Sequence, residues 1–269
     1  VTSTRLERRM TELRGAGRKA LVAYIMTGDP TLEQTVPAMR ALVRGGADLV
    51  ELGIPFSDPE ADGPIIQAAA ERSLANGVRF EDVLAQVRTF REFDDATPII
   101  LMGYLNTVER MGSEVFAARI IDAGVDGLIM VNLPPEESAA LTEHLRGCAD
   151  IVFLATPTST DERLASIAEL ANGFLYYVSL KGTTGAGHIE VDSVRDNVAR
   201  IRGVTDLPVL AGFGIKDADT ARSIGRYTDG VVVGSAIVNA MAELEGQPER
   251  IPERLQTMLG DLRRALDES

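Results

Sequence analysis

The sequence predicts an α/β fold in which eight βα units close into a parallel barrel, with an extra helix at the N-terminus. Three observations carry this. Eight short apolar runs alternate with segments of helical periodicity, the pattern of a parallel sheet covered by helices. Eight such units in 269 residues match the roughly 250 residues that a closed (β/α)8 barrel needs. Several helix-to-strand junctions also look alike: Gly45-Gly46-Ala47-Asp48, Ala123-Gly124-Val125-Asp126 and Tyr227-Thr228-Asp229-Gly230. A doubly wound open sheet is the alternative. That fold usually shows a glycine-rich dinucleotide fingerprint after its first strand, and Thr27-Gly28-Asp29-Pro30 is not one. No composition shift or flexible linker divides the chain, so residues 1–269 read as a single domain.

Each element has its own signal. Leu6, Met10 and Leu13 recur at helical spacing across 3–14, and Gly15 and Gly17 end that helix. The run 20–26 is a buried strand, closed by the turn Thr27-Gly28-Asp29-Pro30. A helix over 32–44 stops at Gly45-Gly46. The unit then repeats, with strands expected at 48–53, 98–103, 127–131, 151–155, 174–179, 208–211 and 230–233. Helices are expected at 64–75, 81–93, 113–123, 135–146, 161–171, 191–201 and 217–224. Helical sequence then runs to the end, broken at Gly246-Gln247-Pro248.

The chain is 45% hydrophobic and 25% charged, ordinary for a soluble globular protein. With 27 Lys and Arg against 40 Asp and Glu, the net charge is −13. An acidic chain is a poor partner for nucleic acid or an anionic membrane. A small anion is not excluded, because backbone amides bind phosphate without basic side chains. Cys148 is the single cysteine, so no intrachain disulfide forms and a reducing, cytoplasmic setting is expected. The first residues carry no apolar signal region, and the apolar stretches, such as 231–241, are too short to span a bilayer.

In a barrel of this kind the chemistry sits at the C-terminal ends of the strands. On the second strand Leu49, Glu51 and Gly53 share one face, and Val50 and Leu52 share the other. Val50 and Leu52 suit packing against helices, which turns Glu51 into the top of the barrel. A glutamate among apolar neighbours loses solvation, and its pKa moves up toward neutrality, as a proton shuttle requires. A structural salt bridge is the competing account of Glu51. Asp62 follows in the next loop. Taken alone, Asp62-Gly63 before Pro64 is better explained as a turn and helix-start signal, and Asp58 has the same plain explanation.

Two glycine-rich loops follow the last two strands: Ala211-Gly212-Phe213-Gly214-Ile215, and Gly234-Ser235-Ala236 at a helix start. Each alone is a tight turn or a cap. Together, in those positions, they match the phosphate site that recurs in barrels. The long segment 179–190 after the sixth strand is glycine-rich and polar, which fits a closing lid or a surface loop without a role.

Lysine occurs only at Lys19, Lys181 and Lys216, none within an expected strand, so a Schiff-base nucleophile is missing. The histidines, His144 and His188, fall on a helix and in the lid candidate. With one cysteine there is no zinc cluster, and no metal site is expected. Carbon–carbon chemistry would then be proton transfer by carboxylates.

Glu51-Leu52-Gly53-Ile54-Pro55-Phe56-Ser57-Asp58-Pro59, followed by Ala61-Asp62-Gly63-Pro64, resembles the signature of the tryptophan synthase alpha chain family. The likeness continues through Thr27-Gly28-Asp29-Pro30, Met102-Gly103-Tyr104-Leu105-Asn106, Thr184-Gly185, Gly212-Phe213-Gly214-Ile215 and Gly234-Ser235-Ala236, in the expected order. The resemblance implies a (β/α)8 TIM barrel that cleaves indole-3-glycerol phosphate by a retro-aldol route without Schiff base or metal. Glu51 would protonate indole C3 and take part in removing the glycerol hydroxyl proton. Asp62 would accept a hydrogen bond from the indole N–H and stabilise positive charge on the ring. Tyr24, Tyr104, Tyr176 and the lid residue Thr184 would lie on the substrate side, and Gly185, Gly214, Gly234 and Ser235 at the phosphate. The resemblance also implies a beta-chain partner in an α2β2 complex. Pyridoxal phosphate would belong to that partner, and this chain would need no cofactor. Two details depart from the family pattern: Glu60, beside Asp62, and Ser179-Leu180-Lys181-Gly182 in the lid. A free-standing lyase, and a barrel retained as a binding partner after losing catalysis, are the other functions such a chain could serve.

Overall fold

A computed structural model describes residues 3–179, 191–212 and 214–269. Helix α1 (Arg5–Gly15) precedes strand β1 (Ala20–Met26). The first half continues with α2 (Thr35–Arg44), β2 (Leu49–Gly53), α3 (Pro64–Ala75), α4 (Phe80–Arg91), β3 (Ile99–Gly103), α5 (Asn106–Met111), α6 (Ser113–Ala123) and β4 (Gly127–Met130). Then come α7 (Ala139–Leu145), β5 (Asp150–Ile151), β6 (Leu154–Ala155), α8 (Asp161–Leu170), β7 (Leu175–Val178), α9 (Val191–Arg202) and β8 (Val209–Gly212). The chain finishes with α10 (Ala218–Gly225), β9 (Gly230–Val233), α11 (Ser235–Ala242) and α12 (Ile251–Asp267).

Every strand pairing is parallel, in the order β5-β4-β3-β2-β1-β9-β8-β7-β6. The two ends of that order are neighbours in the chain. Val152 N–H donates to Leu128 O (2.9 Å) and Tyr176 N–H to Phe153 O (3.1 Å). One segment, 150–155, therefore bonds to β4 with its first half and to β7 with its second, and the barrel closes through it. The expected strand over 151–155 is thus two short pieces of a single stave.

The alternation of side chains sorts the core into two shells. Val50, Leu52, Leu101, Leu128, Tyr177 and Val231 point outward and pack with the helices. Val22, Leu49, Ile100, Ile129, Val152, Leu210 and Val232 fill the barrel. Leu6, Met10 and Leu13 of α1 join that inner cluster, so the extra helix stoppers the lower end of the barrel.

The similar junctions have a structural explanation. Asp48 N–H donates to Leu21 O (2.8 Å) while its carboxylate accepts from Leu21 N–H (2.9 Å). Asp126 makes the same closed pair with Ile99 (2.9 and 2.8 Å), and Asp229 with Val209 (2.9 and 2.8 Å). Each aspartate satisfies an N–H at the start of the preceding strand, the first residue of β3 and β8 and the second of β1. Arg9 and Arg263 hold Asp48, Arg5 and Arg91 hold Asp126, and Thr4 holds Asp150, which ties α1 to the base.

Two local departures stand out. The segment Asn106–Met111 forms a short helix that its sequence does not announce. The helix expected over 135–146 begins as a 3₁₀ turn, Pro135–Glu137, and becomes α-helical only from Ala139 to Leu145.

Candidate active site

Glu51 is the middle residue of β2, in register with Tyr24 of β1 and Ile100 of β3. It is 1% exposed, and among the described residues its Oε2 has no hydrogen-bond partner. Among the described residues no salt bridge neutralises it, contrary to the structural account that its sequence left open. Burial drives its pKa up from 4.5 to about 8, and the charge of Asp62 adds to the rise. At neutral pH the side chain is therefore mostly protonated.

Asp62 lies on the loop between β2 and α3, where two prolines prevent the strand from continuing. It is half-buried. Burial raises its pKa to about 6, against the lowering effect of a hydrogen bond from the Tyr104 hydroxyl (3.2 Å to Oδ2). The same hydroxyl accepts from Ala61 N–H (3.1 Å), and the Tyr104 ring stacks on Phe56 at 5.0 Å. Gln67, in the first turn of α3, donates to the Asp62 and Pro59 carbonyls (2.9 and 3.3 Å). Asp58 and Glu60 are exposed, and Asp58 accepts from the hydroxyl of Ser57.

The tyrosines complete the mouth. Burial pushes the Tyr24 and Tyr176 hydroxyls well above their ordinary range, and the charges of both Asp62 and Glu51 reinforce this. All four groups therefore face one space. Two glycines make room for the rings. A Cβ on Gly53 would stand 2.3 Å from the Tyr24 hydroxyl, and one on Gly212 would stand 2.2 Å from the Tyr176 hydroxyl. The Tyr24 ring also borders Gly234, where a Cβ would lie 3.6 Å from it.

Gly234 caps α11 without a side-chain acceptor, and the first intrahelical bonds run from Ile237 and Val238 N–H to Gly234 O (2.9 and 3.0 Å). The amides of Ser235 and Ala236 thus precede the helix's own bonding, beside the Tyr24 ring, where an anion is favoured. Gly214 is exposed with φ +79°, a left-handed conformation that suits glycine. Thr184 and Gly185, and the lid candidate from residue 180 onward, lie outside the described residues.

The first loop is fastened to the same helix as Asp62. Arg72 of α3 makes a two-pronged ion pair with Asp29 (2.6 and 2.9 Å), and Ser73 donates to Thr27 O (2.6 Å). The roles of Gln67 and Arg72 were not legible in sequence. A polar residue among the apolar residues of the first two turns of α3 is the only hint for Gln67. Among the described residues no three His, Cys, Asp or Glu side chains group as a metal site would, and no helix is long and apolar enough to cross a membrane.

The chain matches the family model described as tryptophan synthase alpha chain over residues 10–267. It is 54% identical over 265 residues to the tryptophan synthase alpha chain of Alkalilimnicola ehrlichii, covering 98% of this chain and 96% of that one. It is 52% identical to that of Thioalkalivibrio sulfidiphilus, covering 98% and 100%. The crystal structure of tryptophan synthase subunit alpha from Legionella pneumophila superposes with a TM-score of 0.93 at 39% identity, covering all of both chains. Shared sequence from end to end, on a shared barrel, leads to one conclusion: the chain belongs to the tryptophan synthase alpha chain family.

Proposed function

We propose that Glu51 and Asp62 divide between them the chemistry of a lyase: the cleavage of indole-3-glycerol phosphate to indole and glyceraldehyde 3-phosphate, the alpha-subunit step of tryptophan biosynthesis. One observation carries the assignment. Two carboxylates face the same space with pKa values pushed apart, about 8 for Glu51 and about 6 for Asp62. Near pH 7 the first holds a proton and the second holds a charge, which is how neighbouring carboxyls are given different tasks.

Glu51 donates its proton to C3 of the indole ring, and the ring becomes cationic. Asp62, as carboxylate, accepts the ring N–H and stabilises that charge. Glu51, now ionised in an apolar site, takes the proton from the hydroxyl on the glycerol carbon bonded to C3. The electron pair of the O–H bond becomes the aldehyde C=O. The C3–carbon bond breaks and returns its electrons to the ring. Glu51 ends protonated, ready for another turnover.

Tyr24, Tyr176 and Thr184 bound the substrate in this proposal, Tyr104 stands behind Asp62 on the substrate side, and Gly185, Gly214, Gly234 and Ser235 hold its phosphate. The free amides at the start of α11 support the phosphate assignment. Residues 1–269 act as one catalytic domain, a reading supported by the continuous parallel sheet and the family match over 10–267. The chain works with a tryptophan synthase beta chain in an α2β2 complex in the cytoplasm. Pyridoxal phosphate serves the beta chain, and this chain uses no cofactor.

Glu51→Gln tests the assignment. The amide keeps the shape and cannot exchange the proton. Indole release should fall by about 10²–10⁴-fold while circular dichroism remains that of the wild type. A near-normal rate would overturn the role of Glu51.

A further inference from the structure

We propose that Tyr104 and Gln67 are positioning residues that brace Asp62 against the substrate ring, Tyr104 through the carboxylate and Gln67 through the backbone. The inference rests on Asp62 being the acceptor for the ring nitrogen.

Asp62 is the only one of the two carboxylates not carried by a strand. Residues 54–63 contain no helix or strand, and such a loop does not hold a side chain within the few tenths of an ångström that a reacting geometry needs. Tyr104 supplies that definition at both ends of the loop. Its ring stacks on Phe56 near the start (5.0 Å, 25°), and its hydroxyl meets Ala61 and Asp62 at the end. Tyr104 itself is 6% exposed and directly follows β3, so the brace is anchored in the barrel. Gln67 adds a second point. Its amide nitrogen bridges the carbonyls of Pro59 and Asp62 from within α3.

The single hydroxyl proton of Tyr104 is directed at Asp62, and its oxygen already accepts the Ala61 N–H. It therefore acts on the substrate through Asp62. A hydrogen bond to the charged form favours that form. Around Asp62 stand Glu51 from β2, Tyr24 from β1 and Tyr176 from β7, each of which feels its charge. None of these is a cation. Among the described residues Tyr104 is the side chain whose hydrogen bond offsets the burial of Asp62.

The test measures indole-3-glycerol phosphate cleavage by the full-length chain from pH 5 to 9, for the wild type, Tyr104→Phe, Gln67→Met and Asp62→Asn. Tyr104→Phe keeps the ring on Phe56 and loses only the hydroxyl. Its kcat should drop about 10- to 100-fold, as for a lost hydrogen bond to a charged group, with KM nearly unchanged. The acid limb of its profile should move to higher pH by about one unit. Gln67→Met should lower kcat about 5- to 10-fold and leave the acid limb where it is, because Gln67 does not touch the carboxylate. A raised KM with kcat preserved in Tyr104→Phe would make Tyr104 a substrate-binding group and overturn the brace. So would wild-type kinetics in both variants while Asp62→Asn is inactive, a result that leaves the role of Asp62 standing. Full activity in Asp62→Asn would remove that role, and the brace with it.

Discussion

Replacing Glu51 by Gln should shift stability in favour of the variant, relative to the wild type, by an amount that grows with pH. The carboxyl is 1% exposed, lacks a partner at Oε2 among the described residues, and has its pKa raised from 4.5 to about 8 by burial and then by Asp62. In the unfolded chain the group ionises near 4.5, whereas the folded protein keeps its proton up to about 8. Stability from this group is complete below the lower value and is lost as pH rises through the upper one. The interval is 8 − 4.5 = 3.5 units, and at ~1.36 kcal/mol per unit the full loss is about 5 kcal/mol. At pH 7 it has reached roughly 3 kcal/mol. Gln does not titrate. Whatever the amide costs for its own unmatched donors is a constant offset, so the pH dependence of the difference isolates the carboxyl. Thermal unfolding of both proteins at pH 5, 7 and 8.5 measures it, at roughly 2–4 °C per kcal/mol for a chain of this size. The melting temperature of the variant should gain on the wild type by about 8–16 °C between pH 5 and 8.5. A gap that stays constant, or one that closes as pH rises, would show that Glu51 is charged and compensated at neutral pH. Glu51 would then hold no proton to donate at neutral pH.

The same two groups predict a bell-shaped rate profile. Activity needs Glu51 protonated and Asp62 ionised, so kcat should peak near pH 7 and be lower by roughly tenfold at pH 5 and pH 9. Steady-state rates across that range check it, and a flat profile counts against the pairing. Gly212→Ala should disturb the mouth without touching either carboxylate. Its Cβ would meet the Tyr176 ring at 2.2 Å (Oη) and 2.4 Å (Cε2), within a strand that cannot move away. Overpacking should lower stability by about 1–3 kcal/mol, and displacement of the ring should weaken turnover by about 10- to 100-fold. Wild-type kinetics in this variant would mean that Tyr176 does not border the substrate.

Most of the barrel was legible in the chain because a buried parallel strand announces itself locally. The expected segments 20–26, 64–75, 113–123 and 230–233 coincide with β1, α3, α6 and β9. Each has an apolar run or helical stripe bounded by Gly, Pro or Ser. The helix Asn106–Met111 was not legible. Six residues carry too little periodicity, and its shape is set by where β3 ends and α6 begins. The carboxylate of β2 was legible for the same reason as the strand: alternation alone puts Glu51 opposite Val50 and Leu52.

The linear chain therefore determined the number of βα units, the inward face of Glu51, the acidic and lysine-poor character of the site, and, through the motif from Glu51 to Pro64, the family. Those features are local, or are properties of composition. The partners of Asp62 were decided only by the closed fold. Tyr104 is forty-two positions away from it, and the two meet because β2 and β3 lie side by side. The repeated aspartates at the strand bases likewise showed only as look-alike junctions until the barrel brought each one to an N–H at the start of its neighbour. Distance along the chain says nothing about such pairs. Parallel register does, and it exists only once the ring is closed.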